Sequence, residues 1–314
     1  MEIQQVSLET WEQISNGTIA PSIQYKAEFV TIISESFNLR PVAWIVMKNG
    51  KAVLGFQTFS KDAKLIQPSI YIYTSIWTNG NFLICQQALL KLLELLKSKY
   101  NSMHFIFSPS FTDVRPFIRL GFKASVNYTI LKNLDELEFH GKLKARETRA
   151  RKEGIKFFWG DESQDVLEQY RRDFTRYGFS KKYAQGLELL IKRMIKAGYA
   201  KALTARLGEE LIASGILIVD DLRKHSMNIL ISSEKKHYDT GVHTALYMEI
   251  FRQLKKDGYE TNDLFGANTL GIGNFKSNFS EDLTAHYEVK YNFFRSSLSK
   301  QFNSMSRILK RFVT

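Results

Sequence analysis

Apolar residues along the chain follow two spacings, one typical of β-strands and one typical of α-helices. Alternating apolar positions flank Lys48-Asn49-Gly50-Lys51, and Asn-Gly is a strong hairpin signal because both central positions favour positive φ. Residues 200–220 repeat the alternation around a turn at 207–210, which predicts a second hairpin. Leucines at helical spacing predict a long amphipathic helix over residues 82–100.

Shorter runs predict the remaining elements. Strands are expected at 69–76, 103–107, 128–131, 226–232, 261–265 and 286–294. Helices are expected at 11–20, 115–122, 181–198 and 244–256, and at 161–176, where Asp161-Glu162-Ser163 is a good N-terminal cap.

The same order of elements occurs twice. Each half has a hairpin, a strand, a long helix, a short strand, a loop with an aromatic-centred short helix and a final strand. The closing aromatic segments correspond as well, with FIRLGF at 117–122 opposite FKSNF at 275–279. Self-similarity of this kind predicts two copies of one α+β unit.

The composition is that of a globular protein with about two domains. Of 314 residues, 44% are hydrophobic and 24% are charged, and the formal net charge is +12. This charge favours anionic partners such as nucleic acid, nucleotide cofactors, acidic carrier proteins or a membrane surface. A lysine-rich composition shared by all proteins of the source would explain it equally well. Cys85 is the only cysteine, so no internal disulfide forms.

Targeting signals are not evident in the sequence. The first residues, MEIQQVSLETWEQ, are acidic and have no apolar core, unlike a signal peptide. No apolar run approaches the ~20 residues that a membrane span needs. We therefore expect a cytoplasmic protein.

Basic residues concentrate in two segments. A predicted helix within residues 134–160 has a run of six basic residues, and we interpret this segment as a linker between domains at 1–133 and 161–295. Its charge fits a solvated surface and an anion-binding face equally well. Residues 296–314 predict an amphipathic basic helix, which docks on its own domain or makes peripheral membrane contact. The six residues are Lys142, Lys144, Arg146, Arg149, Arg151 and Lys152.

Residues 261–280 have the densest glycine loop. Gly266 and Gly271 have the spacing of a P-loop, but Ile272 stands where that loop requires lysine. Gly271 and Gly273 begin a dinucleotide fingerprint, but Lys276 stands in the place of its third glycine. The loop therefore matches neither phosphate-binding motif.

Three local motifs and the order of elements resemble a known family over residues 40–295. Residues 144–154 (KARETRARKEG) look like a basic run ending in Glu-Gly, and Asp263-Leu264-Phe265-Gly266 looks like an aspartate-bearing strand end. Phe275-Lys276-Ser277-Asn278-Phe279 resembles a Phe-Lys-x-x-Phe-Gly signature, although Ser280 replaces the glycine; Asp113-Val114-Arg115-Pro116-Phe117 resembles its first-half counterpart. The family is the GNAT acyltransferase fold in its tandem, FemAB-like branch, which includes peptidoglycan-bridge aminoacyltransferases.

The resemblance implies a fold and a donor. The fold class it implies is α+β, with two tandem GNAT-like domains, each a mixed sheet flanked by helices, joined by the basic linker helix. The GNAT pyrophosphate loop aligns with Tyr238, Thr240 and Gly241, which makes these the expected cofactor-binding residues. His243 stands where that loop has glycine or alanine and crowds the approach of a diphosphate. No tightly bound cofactor is expected. The co-substrate it implies is acyl-CoA or aminoacyl-tRNA, and a nucleotide-linked precursor is a further anionic partner.

Acyl transfer to an amine needs alignment, proton removal and stabilisation of the oxyanion, but no protein nucleophile. Lys276 is the expected catalytic cation, with an exposed surface lysine as the alternative, and Asp263 is an expected base or a cap for the loop. No histidine set has metal-ligand spacing, so no metal is expected. The expected substrate-binding residues are Arg146, Arg149, Asn268, Asn274, Phe275, Asp113 and Arg115, of which Asp113 and Arg115 serve equally to brace a short helix.

The resemblance thus predicts an acyltransferase or aminoacyltransferase whose acceptor is an amine, for example on a cell-wall precursor. The alternative is a non-catalytic GNAT-like module that binds RNA or another polyanion through its basic surface. The acyl group, the acceptor and the oligomeric state stay open.

Overall fold

The computed structural model describes residues 1–68, 73–160, 164–176 and 178–293. The helices in these ranges are α1 (Leu8–Thr18), α2 (Ala27–Phe37), α3 (Phe82–Lys99), α4 (Arg115–Arg119), α5 (Gly141–Lys152), α6 (Gln164–Arg176), α7 (Lys181–Lys196), α8 (Val242–Lys256) and α9 (Leu270–Ser277). Short 3-10 segments lie at Ile23–Tyr25 and Lys235–Thr240.

The strands in the same ranges are β1 (Glu2–Val6), β2 (Arg40–Lys48), β3 (Lys51–Lys61), β4 (Lys64–Ile66), β5 (Ser75–Thr78), β6 (Ser102–Ile106), β7 (Lys123–Asn133), β8 (Lys156–Trp159), β9 (Ala200–Leu207), β10 (Glu210–Asp220), β11 (His225–Ser233), β12 (Thr261–Asp263) and β13 (Leu283–Asn292).

Both predicted hairpins are confirmed. Strands β2 and β3 turn at Asn49 and Gly50, whose φ angles are 50° and 73°, and β9 and β10 turn at Gly208, with a φ of 59°. Of the strand predicted at 69–76, residues 75 and 76 lie in β5, residues 73 and 74 precede it, and residues 69–72 lie outside the described ranges. The predicted cap at 161–163 and the predicted helix at 296–314 also lie outside them.

Packing divides the described chain into two compact units. The first comprises residues 1–19, 39–127 and 286–293, and the second comprises 20–38 and 128–285. This division differs from the predicted boundaries: residues 20–38 and 128–133 and the predicted linker 134–160 pack with the second unit, and 286–293 pack with the first.

The first unit has a sheet in the order β1-β2-β3-β4-β6-β13, with β5 also paired to β3. Neighbouring strands are antiparallel except for β4 and β6, which are parallel. Helix α3 packs Leu89, Leu92 and Leu96 into the core of this sheet, and the rings of Phe105 and Phe117 fill the same core.

The second unit has a sheet in the order β7-β12-β11-β10-β9-β8. Helix α8 is buried along most of its length in the core, and α5 packs against it through Leu143 and Ala150. Between the two helices, Glu147 accepts hydrogen bonds from Arg252 at 2.5 and 2.7 Å and from Arg151 at 2.9 Å. The predicted basic segment therefore forms a helix of the second unit, with one face buried and the other exposed.

Residues 20–38 are an integral part of the second unit. Helix α2 packs on α7 at Gly186, where a Cβ atom would lie 2.9 Å from the backbone oxygen of Ser36. The Tyr199 hydroxyl donates to Glu28 at 2.7 Å, and the Ser22 hydroxyl donates to Asp220 at 2.6 Å. This segment therefore packs on α7 and bonds to the end of β10 and to the residue before β9.

Candidate functional site

Strands β11 and β12 of the second unit run parallel but pair over only three residue pairs. The last pair joins Met227 to Asp263, where β12 ends, whereas β11 continues to Ser233. The pairing register of β11 with β10 shifts at Ile229, which is a β-bulge. Because a bulge bends a strand and redirects its side chains, it separates β11 from the course of β12.

After Asp263 the chain follows β7 instead of β11. The Leu264 N–H donates to the Ile130 carbonyl at 2.9 Å, and the Ala267 N–H donates to the Tyr128 carbonyl at 2.9 Å. The two parallel strands therefore part at Asp263, and in the described residues β11 has no pairing with β12 beyond Met227.

Asp263 stabilises the start of this loop. Its side chain is almost wholly buried, with 1% of the residue exposed. Atom Oδ1 accepts a hydrogen bond from the Phe265 N–H at 2.8 Å and another from the Thr129 hydroxyl. The first bond is the one an aspartate makes in an Asx turn, so the geometry matches the capping role that the sequence left open beside a catalytic one.

Lys276 lies in α9 and is buried, with 9% of the residue exposed. Its Nζ donates to the carbonyls of Leu264 at 2.7 Å, of Gly266 at 3.3 Å and of Phe265. Phe265 and Gly266 both have positive φ, at 48° and 60°. Because this conformation is unfavourable for a bulky residue such as phenylalanine, the ammonium contacts help to hold the loop in place.

Burial lowers the pKa of Lys276 to about 8, although the negative charge of Asp263 opposes the shift. The ammonium is therefore the main form at neutral pH. The alternative of an exposed surface lysine does not hold. Since the three ammonium protons donate to three backbone carbonyls, a ligand reaches this nitrogen only by replacing one of them.

A cavity of about 450 Å³ opens at the first turn of α8. The first amides of a helix have no intrahelical acceptor, and the helix dipole makes this end positive. Two arginines from α5 add positive charge, so the cavity suits an anion such as a phosphate. It is lined by Arg146, Arg149, Tyr238, Asp239, Gly241, His243, Thr244 and Phe275.

Gly241 caps α8 and allows α5 to approach it closely. Its φ is +82°, and a Cβ atom at this position would lie 2.4 Å from the carbonyl oxygen of Arg146. The Thr240 hydroxyl accepts from the Val242 N–H at 3.2 Å, and Arg149 donates to the Asp239 carbonyl at 3.0 Å. Only glycine fits here without displacing the helix that carries the two arginines.

His243 is the second residue of α8 and projects between β11 and α9. Its Nδ1 hydrogen-bonds to the Ser233 hydroxyl at 2.9 Å, and its ring lies 4.8 Å from the ring of Phe275. Burial lowers the pKa of His243 to about 4, and the positive charge of Lys276 lowers it further. The imidazole is therefore neutral at neutral pH. The sequence predicted crowding at this position but not the contact with Ser233.

The buried neutral imidazole makes the protein sensitive to acid. Between pH 6.5 and 4 the unfolded chain protonates His243 while the folded chain does not, so stability falls as the pH is lowered through this window. We expect His243→Asn to reduce this acid loss by up to about 3 kcal/mol. Urea unfolding at pH 7 and at pH 4.5 measures it; equal pH dependence in both proteins would show that His243 does not contribute.

The other predicted site residues lie in several environments. Asn268 accepts from the Tyr128 N–H at 2.7 Å and so fixes the loop to β7, and Asn274 is exposed on α9. Asp113 and Arg115 lie in the first unit, where they form an ion pair of 2.7 Å at the start of α4. This contact is the bracing role that the sequence allowed. The cavity lining brings together Arg146, Arg149, Tyr238, Gly241 and Phe275, and Thr240 lies next to it.

Two further properties concern the described part of the chain alone. In these ranges, no group of three or more histidine, cysteine, aspartate or glutamate side chains could hold a metal ion. None of the helices within the same residues has the length and apolar character required to cross a membrane.

Comparisons place this geometry among known proteins. Residues 127–277, which include the whole cavity lining and Lys276, match the family model described as acetyltransferase (GNAT) domain. No curated protein matches the chain in sequence.

Solved structures share the fold along nearly the whole chain. FemX has a TM-score of 0.63 at 12% identity, over 93% of this chain and 97% of its own. The C-terminal domain of a putative lysylphosphatidylglycerol synthetase from Agrobacterium fabrum has a TM-score of 0.56 at 14% identity, over 94% and 96%. A tandem GNAT protein from the clavulanic acid biosynthesis pathway has a TM-score of 0.55 at 11% identity, over 92% and 98%. The predicted fold class is thus confirmed: the chain has the tandem GNAT fold, and its residues 127–277 match the GNAT domain model.

Proposed function

We propose that this chain transfers an acyl or aminoacyl group from a phosphate-bearing donor to an amine. The observation that carries the proposal is the cavity at the first turn of α8, in which Arg146 and Arg149 face a positive helix end. The cavity lies in the part of the chain that matches the GNAT domain. We place the acyl group beside the sheet, where β11 and β12 stop pairing after Met227 and Asp263.

The cavity binds the donor through its phosphate and its apolar parts. Each guanidinium offers several N–H donors in one plane, which matches two phosphate oxygens at once. The ring of Phe275 and the half-exposed Tyr238 supply apolar surface on the same cavity. Acyl-CoA and aminoacyl-tRNA both combine phosphate with such surface, and neither needs to stay bound after the reaction.

The reaction itself requires positioning more than reactive side chains. The amine attacks the acyl carbonyl, a tetrahedral oxyanion forms, and the amine loses a proton before the donor leaves. In this reaction Asp263 and Lys276 fix the shape of the loop 264–267. The charge of Lys276 then lies close to the developing oxyanion. The proton that the amine loses passes to water or to the departing donor.

The names of two structural neighbours bear on the acyl group. One neighbour is called FemX and another is a putative lysylphosphatidylglycerol synthetase, a name that refers to a lysyl group. The third is a tandem GNAT protein, and its structure is one without AcCoA. We therefore place an aminoacyl donor first and acyl-CoA second, with an amine on a cell-wall precursor as one acceptor to test.

Neutralising the two arginines tests the donor site. We expect Arg146→Gln and Arg149→Gln each to weaken donor binding about tenfold, because each removes a charged contact to phosphate. The slope of log affinity against log salt should fall by about one for each arginine with an aminoacyl-tRNA donor. Titration of aminoacyl-tRNA and of acyl-CoA at several salt concentrations measures both effects.

Lys144→Gln is the matched control, because Lys144 is an exposed basic residue of α5 outside the cavity lining. It removes the same charge from the same helix, so only a general electrostatic effect should remain. Equal losses in all three variants would argue for non-specific attraction and against a donor site in the cavity.

The second candidate function is a non-catalytic module that binds RNA or another polyanion. The observation that favours it is the crowded cavity, where His243 and the close approach of α5 to Gly241 occupy space at the helix end. Steep salt dependence of RNA binding, with no transfer from either donor, would support this candidate over the enzyme.

A further inference from the structure

His243 is held from two sides and therefore occupies a fixed place in the cavity. Its Nδ1 bonds to the Ser233 hydroxyl at 2.9 Å, and its ring lies 4.8 Å from Phe275 and 5.5 Å from Tyr247. Moving the ring would break the hydrogen bond and disturb both aromatic contacts. The side chain is thus a built part of the wall and not a mobile surface group.

The second nitrogen of the ring is the atom that can meet a ligand. Among the described residues, Nδ1 of His243 has a partner and Nε2 has none. His243 is also one of the residues that line the cavity. Solvent reaches this nitrogen, so a group that enters the cavity replaces water there and takes over its hydrogen bond.

The imidazole adds a hydrogen-bonding group but no charge. Its pKa is lowered by burial and by Lys276, so it is neutral at neutral pH. Among the residues that line the cavity, positive charge comes from Arg146 and Arg149, beside the helix end, and Asp239 is the acidic member of the lining. The ring occupies space at the helix end that a glycine or alanine at this position would leave open.

We propose that His243 is a specificity-determining residue, which makes the cavity select a ligand with one phosphate next to a neutral hydrogen-bonding group and disfavour a diphosphate. This proposal rests on the proposed function for the phosphate site itself. The single phosphate binds Arg146 and Arg149, and a hydroxyl or amide of the ligand bonds to Nε2 of His243. A free nucleotide and the end of a polynucleotide both offer this chemistry.

A pair of ligands that differ by one phosphate tests the selection. Binding of AMP and ADP is measured by calorimetry for the wild type and for His243→Ala, with CoA and a short RNA oligonucleotide as further probes. An added phosphate normally tightens binding to an arginine site. We expect the wild type to bind AMP at least as tightly as ADP, and His243→Ala to shift the ratio at least tenfold toward ADP. The two further probes separate the sources: binding of the RNA oligonucleotide more tightly than AMP assigns the phosphate to a polynucleotide, whereas binding of CoA more tightly than AMP would overturn the proposal, because CoA carries a diphosphate.

Three further variants show whether a change in the ADP to AMP ratio comes from the His243 ring itself. Ser233→Ala releases Nδ1 without removing the ring, so we expect a shift in the same direction but smaller. His140→Ala removes an exposed histidine outside the cavity lining and should leave the ratio unchanged. If His243→Ala is unstable, His243→Asn replaces it and should give a shift of the same sign.

An unchanged ratio of ADP to AMP affinity in His243→Ala and in His243→Asn would overturn the proposal, including the case in which neither nucleotide binds any of the proteins. A wild type that binds ADP clearly more tightly than AMP would overturn it as well. Neither result depends on transfer activity. Failure of the proposed function would instead appear as unchanged donor binding in the two arginine variants.

Discussion

Replacing Lys276 with methionine is expected to lower the free energy of unfolding by about 2–3 kcal/mol and to reduce transfer activity at least a hundredfold. Methionine has a similar length and fits the same space, but it donates no hydrogen bonds. The carbonyls of Leu264, Phe265 and Gly266 would then lose the donor they share. The gain from no longer burying an ammonium offsets part of this cost.

This expectation differs from the one that the sequence alone supports. The motif Phe275-Lys276 predicts loss of turnover in Lys276→Ala with an almost unchanged melting temperature. The three carbonyl contacts add a stability cost, because the positive φ of Phe265 depends on them. Differential scanning calorimetry with amide hydrogen exchange at residues 264–268 separates the two expectations.

Lys97→Met is the matched control for Lys276→Met. Lys97 donates to one backbone carbonyl, that of Leu120, at 2.7 Å, and it lies in the first unit. We expect it to lose about 1 kcal/mol with no change in exchange at residues 264–268. Unchanged stability and exchange in Lys276→Met would show that the lysine does not hold the loop.

The charge of Lys276 also predicts how stability changes with pH. Its pKa is about 8 in the folded chain and 10.5 as the ordinary value, so from pH 8 to 10.5 the unfolded chain binds the extra proton. Stability contributed by this group therefore rises with pH across that window. Lys276→Met removes this rise, which unfolding at pH 7.5 and 10 would detect.

The sequence predicts local structure well where the signal is local. The Asn49-Gly50 turn and the leucine spacing of α3 require only neighbouring residues, and both predictions are confirmed. The repeat of elements predicted the tandem fold for the same reason, since each copy contains its own pattern. Helix α2 was missed because its apolar face is short and its partner α7 lies about 150 residues away along the chain.

The sequence indicated several residues of the candidate site but not the contacts that they make. The motifs singled out Arg146, Gly241 and Phe275, and these line one cavity. The carbonyl contacts of Lys276 depend on the backbone course of a loop, for which side-chain identities carry no signal. The bond between Ser233 and His243 joins the end of a strand to a helix, and it follows only from the packing of α8 on the sheet.

Replacing Gly241 with alanine is expected to lower the free energy of unfolding by about 3 kcal/mol or more and to weaken donor binding at least tenfold. A methyl group at this position would lie 2.4 Å from the carbonyl oxygen of Arg146, and that neighbour is backbone. Helix α5 must therefore move away from α8. Because α5 carries Arg146 and Arg149, the same movement separates both guanidinium groups from the helix end.

Gly258→Ala isolates the cost of the backbone conformation from the cost of the clash. Gly258 follows the same helix with a φ of +83°, against +82° for Gly241, and a Cβ atom there meets nothing within 4 Å. It should therefore lose only about 1 kcal/mol and bind the donor as the wild type does. Calorimetric unfolding and donor titration of both variants measure the difference. Equal losses of stability and unchanged donor binding would mean that the contact between α5 and the first turn of α8 does not position the arginines.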